Sequence, residues 1–137
     1  MRIVLDTNVL ISALISPGGW PDTLYQSWRS GRFVLVSSEE QLDEFRRVSR
    51  YPRLNRFIQP AAAGSMLNEI RLLALLVSHL PKLDISPDPA DNFLLAMAQV
   101  GYADYLVTRD KDDLISLGRH KKTRILSVHQ MMELLGR

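Results

Sequence analysis

Acidic side chains occur in this sequence where apolar runs end and where helices are predicted to begin. Asp6 directly follows the apolar run at residues 3–5, and Asp110 follows the run at residues 105–108. Asp91 lies at the start of a predicted helix, and Glu44 lies on the helix after the second predicted strand. Neighbouring carboxylates repel one another unless a positive charge lies between them. If these four meet, they form an oxygen ligand set of the kind that Mg²⁺ or Mn²⁺ prefers.

Each of these acids also has an explanation that requires no ligand. Asp6 can cap a helix, and Asp91 can lie favourably near the positive end of a helix dipole. Asp110 can stabilise a loop, and Glu44 can be one surface acid among several. Only their shared placement at one edge of a sheet favours a common site. The sequence contains no cysteine, so thiolate metal sites, disulfides and cysteine nucleophiles are excluded.

Short apolar runs and helical periodicity predict the elements that would position these acids. Strands are predicted at residues 3–5, 33–36, 105–108 and 125–127, with a further short strand at 77–80. Helices are predicted at residues 9–15, 21–30, 60–76, 88–99, 112–117 and 129–135, and another after Ser38 that ends near Tyr51. This alternation predicts the α/β class, with a central parallel sheet and helices on both faces. Ligands in such sheets bind beyond the carboxyl ends of the strands, where the four acids fall.

Length and composition predict one globular domain over residues 1–137. The 46% apolar and 23% charged content is that of an ordinary folded protein. The first residues reach Asp6 too early for a signal peptide, and no apolar stretch is long enough for a membrane span. Together with the lack of cysteine, this predicts an unanchored protein in the cytoplasm.

Four segments carry a resemblance to a known family. They read IVLDTNVL at residues 3–10, SEEQLDEF at 38–45, DPADNFLLA at 88–96 and YLVTRDKD at 105–112. Together, and in this order, they resemble the PIN domain family of nucleases. A strand that ends in Asp-Thr-Asn is weak support by itself, but it becomes strong when Leu-Val-Thr-x-Asp follows later. The resemblance covers nearly the whole chain.

The resemblance implies a metal site and its supporting residues. It makes Asp6, Glu44, Asp91 and Asp110 the catalytic acids and the ligands of one or two Mg²⁺ or Mn²⁺ ions. Asn8 and Thr108 would position a ligand or a water by hydrogen bonds, with Asp88 and Asp112 as outer supports. Asp43 adjoins Glu44, but the family's glutamate precedes the apolar position that Phe45 fills here.

The function implied by the resemblance is metal-dependent hydrolysis of RNA. Many small PIN proteins, such as the VapC group, are toxins that a cognate antitoxin protein silences, and the resemblance also implies a homodimer. Arginines crowd residues 46–56, and the expected RNA contacts are Arg46, Arg50, Arg109 and Lys111. A solvated charged surface is the alternative for these cations. Trp20, Tyr25 and Trp28 can stack on bases, although packing is the favoured interpretation.

Three alternatives stay open at the level of sequence. One is a PIN domain that binds RNA without cutting it or without a toxin role. Another is a phosphatase with an aspartyl nucleophile at Asp6, which usually has a second acid where this chain has Asn8. The third is a phosphoacceptor receiver domain, which usually has an acidic pair after its first strand.

Overall fold

The computed structural model describes residues 1–109 and 112–136, and within them the apolar runs form a six-stranded sheet. The strands are β1 (Arg2–Leu5), β2 (Val34–Ser37), β3 (Leu75–Leu76), β4 (Tyr105–Thr108), β5 (Arg119–His120) and β6 (Thr123–Ser127). The helices are α1 (Thr7–Ile15), α2 (Trp20–Arg29), α3 (Glu39–Ser49), α4 (Pro60–Leu73), α5 (Pro89–Val100), α6 (Asp112–Leu117) and α7 (Val128–Leu135). A 3₁₀ turn at Pro52–Leu54 follows α3.

The strand order places the centre of the sheet at β1. The order is β3-β2-β1-β4-β6-β5, and every neighbouring pair is parallel except β5 with β6. The chain therefore runs outward from β1 through β2 to β3, and then returns to β4 on the other side of β1. This reversal makes the boundary between β1 and β4 the topological switch point, where α/β sheets usually bind ligands.

Alternate residues of the strands face two separate apolar layers. Ile3 and Leu5 pack with side chains from α1, α2, α3, α4 and α7 on one face, whereas Val4 packs with α5 and Leu114 of α6 on the other. A strand that is covered on both faces has no polar face, which explains the continuous apolar run before Asp6. The predicted α/β fold with helices on both faces is thus confirmed.

Polar caps determine where four of the helices begin. The side chains of Asp6, Ser38, Asp88 and Ser127 accept hydrogen bonds from backbone N–H groups at the starts of α1, α3, α5 and α7. Such caps satisfy donors that have no partner within the helix. Asp6 and Ser38 directly follow β1 and β2, and Ser127 ends β6, so α1, α3 and α7 all begin at the carboxyl edge of the sheet.

The prediction for residues 74–80 was wrong, and one strand was not predicted. The helix predicted for residues 60–76 ends at Leu73, and the next strand is Leu75–Leu76 rather than residues 77–80. Only the Val77 N–H extends the pairing, to Ser37 O at 2.8 Å, and His79 has a φ of 57°, which extended strands do not adopt. Strand β5 is too short to leave an apolar pattern. Within the described residues, no helix is long and apolar enough to cross a membrane.

Candidate functional site

Asp6 lies at the switch point, and its carboxylate is fixed from two sides. Its backbone N–H donates to Val107 O at 2.9 Å. One carboxylate oxygen accepts from the Asn8 N–H at 3.2 Å, and the other accepts from Thr108 Oγ1 at 2.8 Å. Asp6 is 2% exposed and Thr108 is fully buried. The helix cap predicted for Asp6 is present, and the Thr108 contact joins the same carboxylate to the end of β4.

Glu44 reaches the end of β1 through a threonine. The Thr7 hydroxyl donates to Glu44 Oε1, although Glu44 lies on α3 and Thr7 begins α1. Gln41, one turn earlier on α3, donates from Nε2 to Leu5 O at 2.7 Å and to Thr7 Oγ1 at 3.4 Å. The preceding residue, Asp43, is exposed. Of these two adjacent acids, Glu44 is therefore the one that faces the end of β1. Its partner there, Thr7, directly follows Asp6 in the chain.

Asp91 is buried in the first turn of α5. It is 1% exposed, and its Oδ2 accepts from the Ser86 hydroxyl at 3.0 Å. The next residue, Asn92, accepts from the backbone N–H groups of Ile85 and Ser86 at 3.0 and 2.8 Å. Asp88 caps α5 through the Ala90 N–H at 2.9 Å. The segment before α5 is thereby folded back against the first turn of the helix.

The described part of the structure brings some of the predicted site residues together and leaves others apart. Asp6 and Thr108 are in contact, and Glu44 is joined to the residue after Asp6. Among the described residues, no group of three or more His, Asp or Glu side chains is close enough to hold a metal. Asp110 and Lys111 lie outside the described residues, as does the side chain of Asp112. The convergence of all four acids thus stays a prediction.

The cations predicted to contact RNA border different cavities. Arg109 donates to the Ser12 hydroxyl on α1. It lines a cavity of about 300 Å³ together with Asn8 and Arg53. Arg46 and Arg50 instead line a cavity of about 200 Å³ between α3 and α4. Among the described arginines of residues 46–56, Arg53 thus shares this cavity with Arg109. The sequence had not singled out Arg53.

Gln41 and Ser86 are two buried polar side chains that sequence reasoning missed. Gln41 is 1% exposed and contacts β1 over a separation of 36 residues, so no local pattern could have identified it. Ser86 is 7% exposed, and its hydroxyl donates to Asp91 five residues later. The available signal was its place just before the Asp-Pro-Ala-Asp segment.

Comparison with known proteins identifies the family of this chain. The PIN domain family matches residues 2–112. An uncharacterized protein of Methanocaldococcus jannaschii, MJ1680, is 28% identical over 131 residues, which cover 94% of this chain and 83% of that protein. PIN domains are generally nucleases and usually bind divalent metal ions. Since the match spans most of the sequence and includes Asp6, Glu44 and Asp91, the chain belongs to the PIN domain family.

Proposed function

We propose that the protein is a metal-dependent ribonuclease that hydrolyses phosphodiester bonds of RNA. The observation that carries the proposal is the carboxylate of Asp6, which lies at the switch point of a PIN domain and is 2% exposed. A buried carboxylate is costly unless hydrogen bonds or an opposite charge compensate it. The cap alone would use one oxygen, whereas here Thr108 orients the second oxygen as well.

The side chains around Asp6 suit a hard cation. The proposed site adds the carboxylates of Glu44 and Asp91, and the described side-chain partners of Asp6, Glu44 and Asp91 are hydroxyl groups rather than sulfur or imidazole ligands. Oxygen donors of this kind favour Mg²⁺ or Mn²⁺. We propose that Asp6, Glu44, Asp91 and Asp110 hold the ion and act as the catalytic acids. When bound, the cation supplies Lewis acidity that activates water and offsets charge on the leaving oxygen.

The protein's own contribution is to hold these acids in fixed positions. Thr108 fixes the rotamer of Asp6, Thr7 fixes Glu44, and Ser86 fixes Asp91. Fixed oxygens need little reorganisation when charge develops during the reaction. Asn8 is exposed two residues after Asp6, and we propose that its amide contacts a phosphate. Asp88 supports Asp91 by starting the helix that carries it, and we propose an outer role for Asp112.

The test is cleavage of a labelled single-stranded RNA with added Mg²⁺ or Mn²⁺ and with EDTA. We expect cleavage only with metal, and we expect Asp6→Asn to slow it on the order of a hundredfold or more. Asparagine keeps the shape and is itself a good helix cap, so the variant should fold normally. Asp104→Asn, at the opposite edge of the sheet, is the matched control. Cleavage by Asp6→Asn at the wild-type rate would falsify the assignment.

We further propose that the protein is the toxin of a toxin–antitoxin pair and acts in the cytoplasm as a homodimer. The resemblance to the VapC group supports the toxin role and the cognate antitoxin, and the lack of cysteine fits a reducing compartment. We also propose one PIN domain over residues 1–137. Strand β6 pairs with β4 and α7 packs in the core on the α1 face, so residues beyond 112 complete the same sheet.

A PIN domain that binds RNA without cutting it is the second candidate. The observation that favours it is the lack of a three-acid group among the described residues. The same cleavage assay separates the two functions, because a binder retains the RNA but releases no fragments at any metal concentration. Membership in the PIN family weighs against the phosphatase and receiver alternatives.

A further inference from the structure

Trp20 and His129 form an aromatic pair at the carboxyl edge of the sheet. Trp20 begins α2 and His129 lies in the first turn of α7. Their ring centroids are 4.6 Å apart and the planes differ by 27°, so the rings are stacked. Trp20 is 40% exposed, whereas Trp28 on the same helix is 6% exposed. Packing therefore explains Trp28 but leaves a large aromatic surface of Trp20 facing solvent.

This pair borders a cavity that reaches the proposed active site. The cavity has a volume of about 470 Å³, and its described lining includes Ser12, Trp20, Thr108, Arg109 and His129. The volume is within the range of small-ligand pockets, about 300–1,000 Å³. Thr108 is the residue whose hydroxyl donates to Asp6. A ligand in this cavity would therefore contact Thr108, whose other neighbour is the Asp6 carboxylate on which the proposed function depends.

Arg109 borders both this cavity and the one lined by Asn8 and Arg53. Ser12, Ile15 and Arg109 line both cavities. Asn8, Ser12 and Ile15 are spaced four and three residues apart on α1, so they share one face of that helix. The two cavities thus lie side by side along α1, and Arg109 borders both.

We propose that the Trp20–His129 cavity binds an unpaired nucleobase of the RNA strand, stacked on the aromatic pair, with the adjoining phosphate at Arg109. This inference rests on the proposed function and specifies where its substrate lies. A flat aromatic surface next to a fixed cation matches the two parts of a nucleotide, a base and a phosphate. A base within a duplex is stacked and paired, so it cannot enter such a cavity.

Binding is measured in EDTA, so that no strand is cut. The probes are a short oligouridylate, a chain of equal length that lacks the bases, and an RNA duplex. Trp20 fluorescence reports occupancy, because Trp28 is buried. We expect the oligouridylate to quench the fluorescence and to bind about tenfold more tightly than the chain without bases, since a stacked base commonly contributes this much. The duplex should bind no better than the chain without bases.

Two substitutions locate the effect. Trp20→Ala should weaken oligouridylate binding about tenfold, measured by competition with a labelled strand, and leave the chain without bases unaffected. Trp20→Phe keeps a ring and should retain most of the affinity for oligouridylate. That result would show that the loss in Trp20→Ala comes from the missing ring and not from misfolding. Tyr102→Ala is the matched control, because Tyr102 is 66% exposed and lies between α5 and β4 at the opposite edge of the sheet.

The outcomes separate this proposal from the proposed function. Unchanged oligouridylate affinity in Trp20→Ala, or equal affinity of the wild type for chains with and without bases, would overturn the pocket assignment even if RNA is cleaved with metal. A different result would support the pocket and reject the ribonuclease. In that case binding depends on the bases and is lost in Trp20→Ala, but no RNA is cleaved under any metal condition.

Discussion

At the scale of single residues, the side chain that caps α1 is also the one on which the proposed function depends. Its carboxylate caps α1 through the Asn8 N–H and also accepts from Thr108 on the neighbouring strand. The cap is a local pattern, so the sequence indicates it directly. The Thr108 contact joins residues 102 positions apart, and only the strand order brings them together.

The adjacent acids Asp43 and Glu44 allow a matched comparison. Glu44 accepts from Thr7 at the end of β1, whereas Asp43 is exposed. We expect Glu44→Gln to reduce metal-dependent RNA cleavage about tenfold to a hundredfold, because it removes a charge beside the ion. Asp43→Asn should leave the rate unchanged, since it changes only a solvated charge. Equal rates for both variants, or a larger loss in Asp43→Asn, would show that the wrong acid had been assigned.

At the residue scale, the sequence identifies acids more readily than the groups that orient them. Asp6, Asp91 and Glu44 stand out because their positions relative to the predicted elements are local properties. Gln41 does not, since a glutamine in the first turn of a helix has the pattern of a surface residue. It is buried because α3 packs against β1, where its amide donates to Leu5 O. That packing depends on the whole sheet.

At the scale of elements, Gly101 is required by packing rather than by its backbone angles. It ends α5 with a φ of −84°, which any residue can adopt. A Cβ built there would lie 2.6 Å from Val36 Cγ1 and 3.1 Å from Met97 O. Since Val36 is fully buried, neither group has room to move. The glycine therefore allows α5 to pack closely on β2.

This contact predicts opposite effects at two glycines. We expect Gly101→Ala to lower the free energy of unfolding by about 1–3 kcal/mol through overpacking. Gly64→Ala should raise it by about 0.5–1 kcal/mol, because Gly64 lies inside α4 and a Cβ there meets nothing within 4 Å. Urea unfolding of both variants measures the difference. A stabilised Gly101→Ala would contradict the close approach of the two elements.

We expect His120, on strand β5, to make the stability of the fold depend on pH. Burial lowers the pKa of the His120 imidazole below its ordinary value of 6.5, and the charge of Lys121 lowers it further. His120 Nε2 lies 2.8 Å from Gln99 Oε1 on α5. As the pH falls below 6.5, the unfolded chain binds a proton before the folded chain does. The contribution of neutral His120 to the free energy of unfolding is therefore complete above pH 6.5. It is lost as the pH falls through the pKa of His120 in the folded protein.

We expect the melting temperature to depend less on pH when the His120 imidazole is removed. Between about pH 7.5 and pH 5, the fall in Tm should be smaller for His120→Gln than for the wild type. The control is His129→Gln, which changes an exposed histidine that pairs with Glu133 at 3.3 Å on the surface. An identical fall in the wild type and His120→Gln would rule out His120 as the source.

The elements also show where sequence patterns stop being informative. Helices and central strands were predicted because their apolar periodicity extends over several residues. The pattern of residues 72–76 is apolar throughout, so it cannot distinguish the end of α4 from the two-residue strand β3. Strand β5 is equally short, and the pairing of Arg119 with Arg124 and of His120 with Thr123 comes from the turn at Lys121.

At the scale of the whole molecule, an apolar surface marks one edge of the sheet. Leu72 is 80% exposed and Leu73 is 57% exposed, while Leu75 and Leu76 are each 36% exposed. Strand β3 ends the described sheet, so its outer side has no neighbouring strand there. Exposed apolar edges favour association. We expect the second copy of the proposed homodimer to cover this surface.

Sedimentation at micromolar concentration tests this dimer. The wild type should sediment as a dimer, and the double variant Leu72→Glu with Leu73→Glu should sediment as a monomer, since it places charge on the apolar surface. Leu117→Glu is the control, because Leu117 is 38% exposed on α6 at the other end of the sheet. A wild-type protein that stays monomeric would remove the homodimer from the proposal.

The proposed divalent ion would connect its site to the stability of the whole fold. Carboxylates held close together repel one another, and a cation between them removes that repulsion. An ion that binds only the folded protein stabilises it by about 3 kcal/mol at a hundredfold excess over its dissociation constant, which corresponds to several degrees in Tm. We expect Mn²⁺ to raise the Tm of the wild type and to leave that of Asp6→Asn nearly unchanged.

Without metal, Asp6→Asn should be at least as stable as the wild type, because it retains the cap and loses one repelling charge. Asp104→Asn should keep the full response to Mn²⁺, since Asp104 interacts with Arg2 and Lys122 at the opposite edge of the sheet. Equal Mn²⁺ shifts in all three proteins would place the ion elsewhere and leave Asp6 as a helix cap alone.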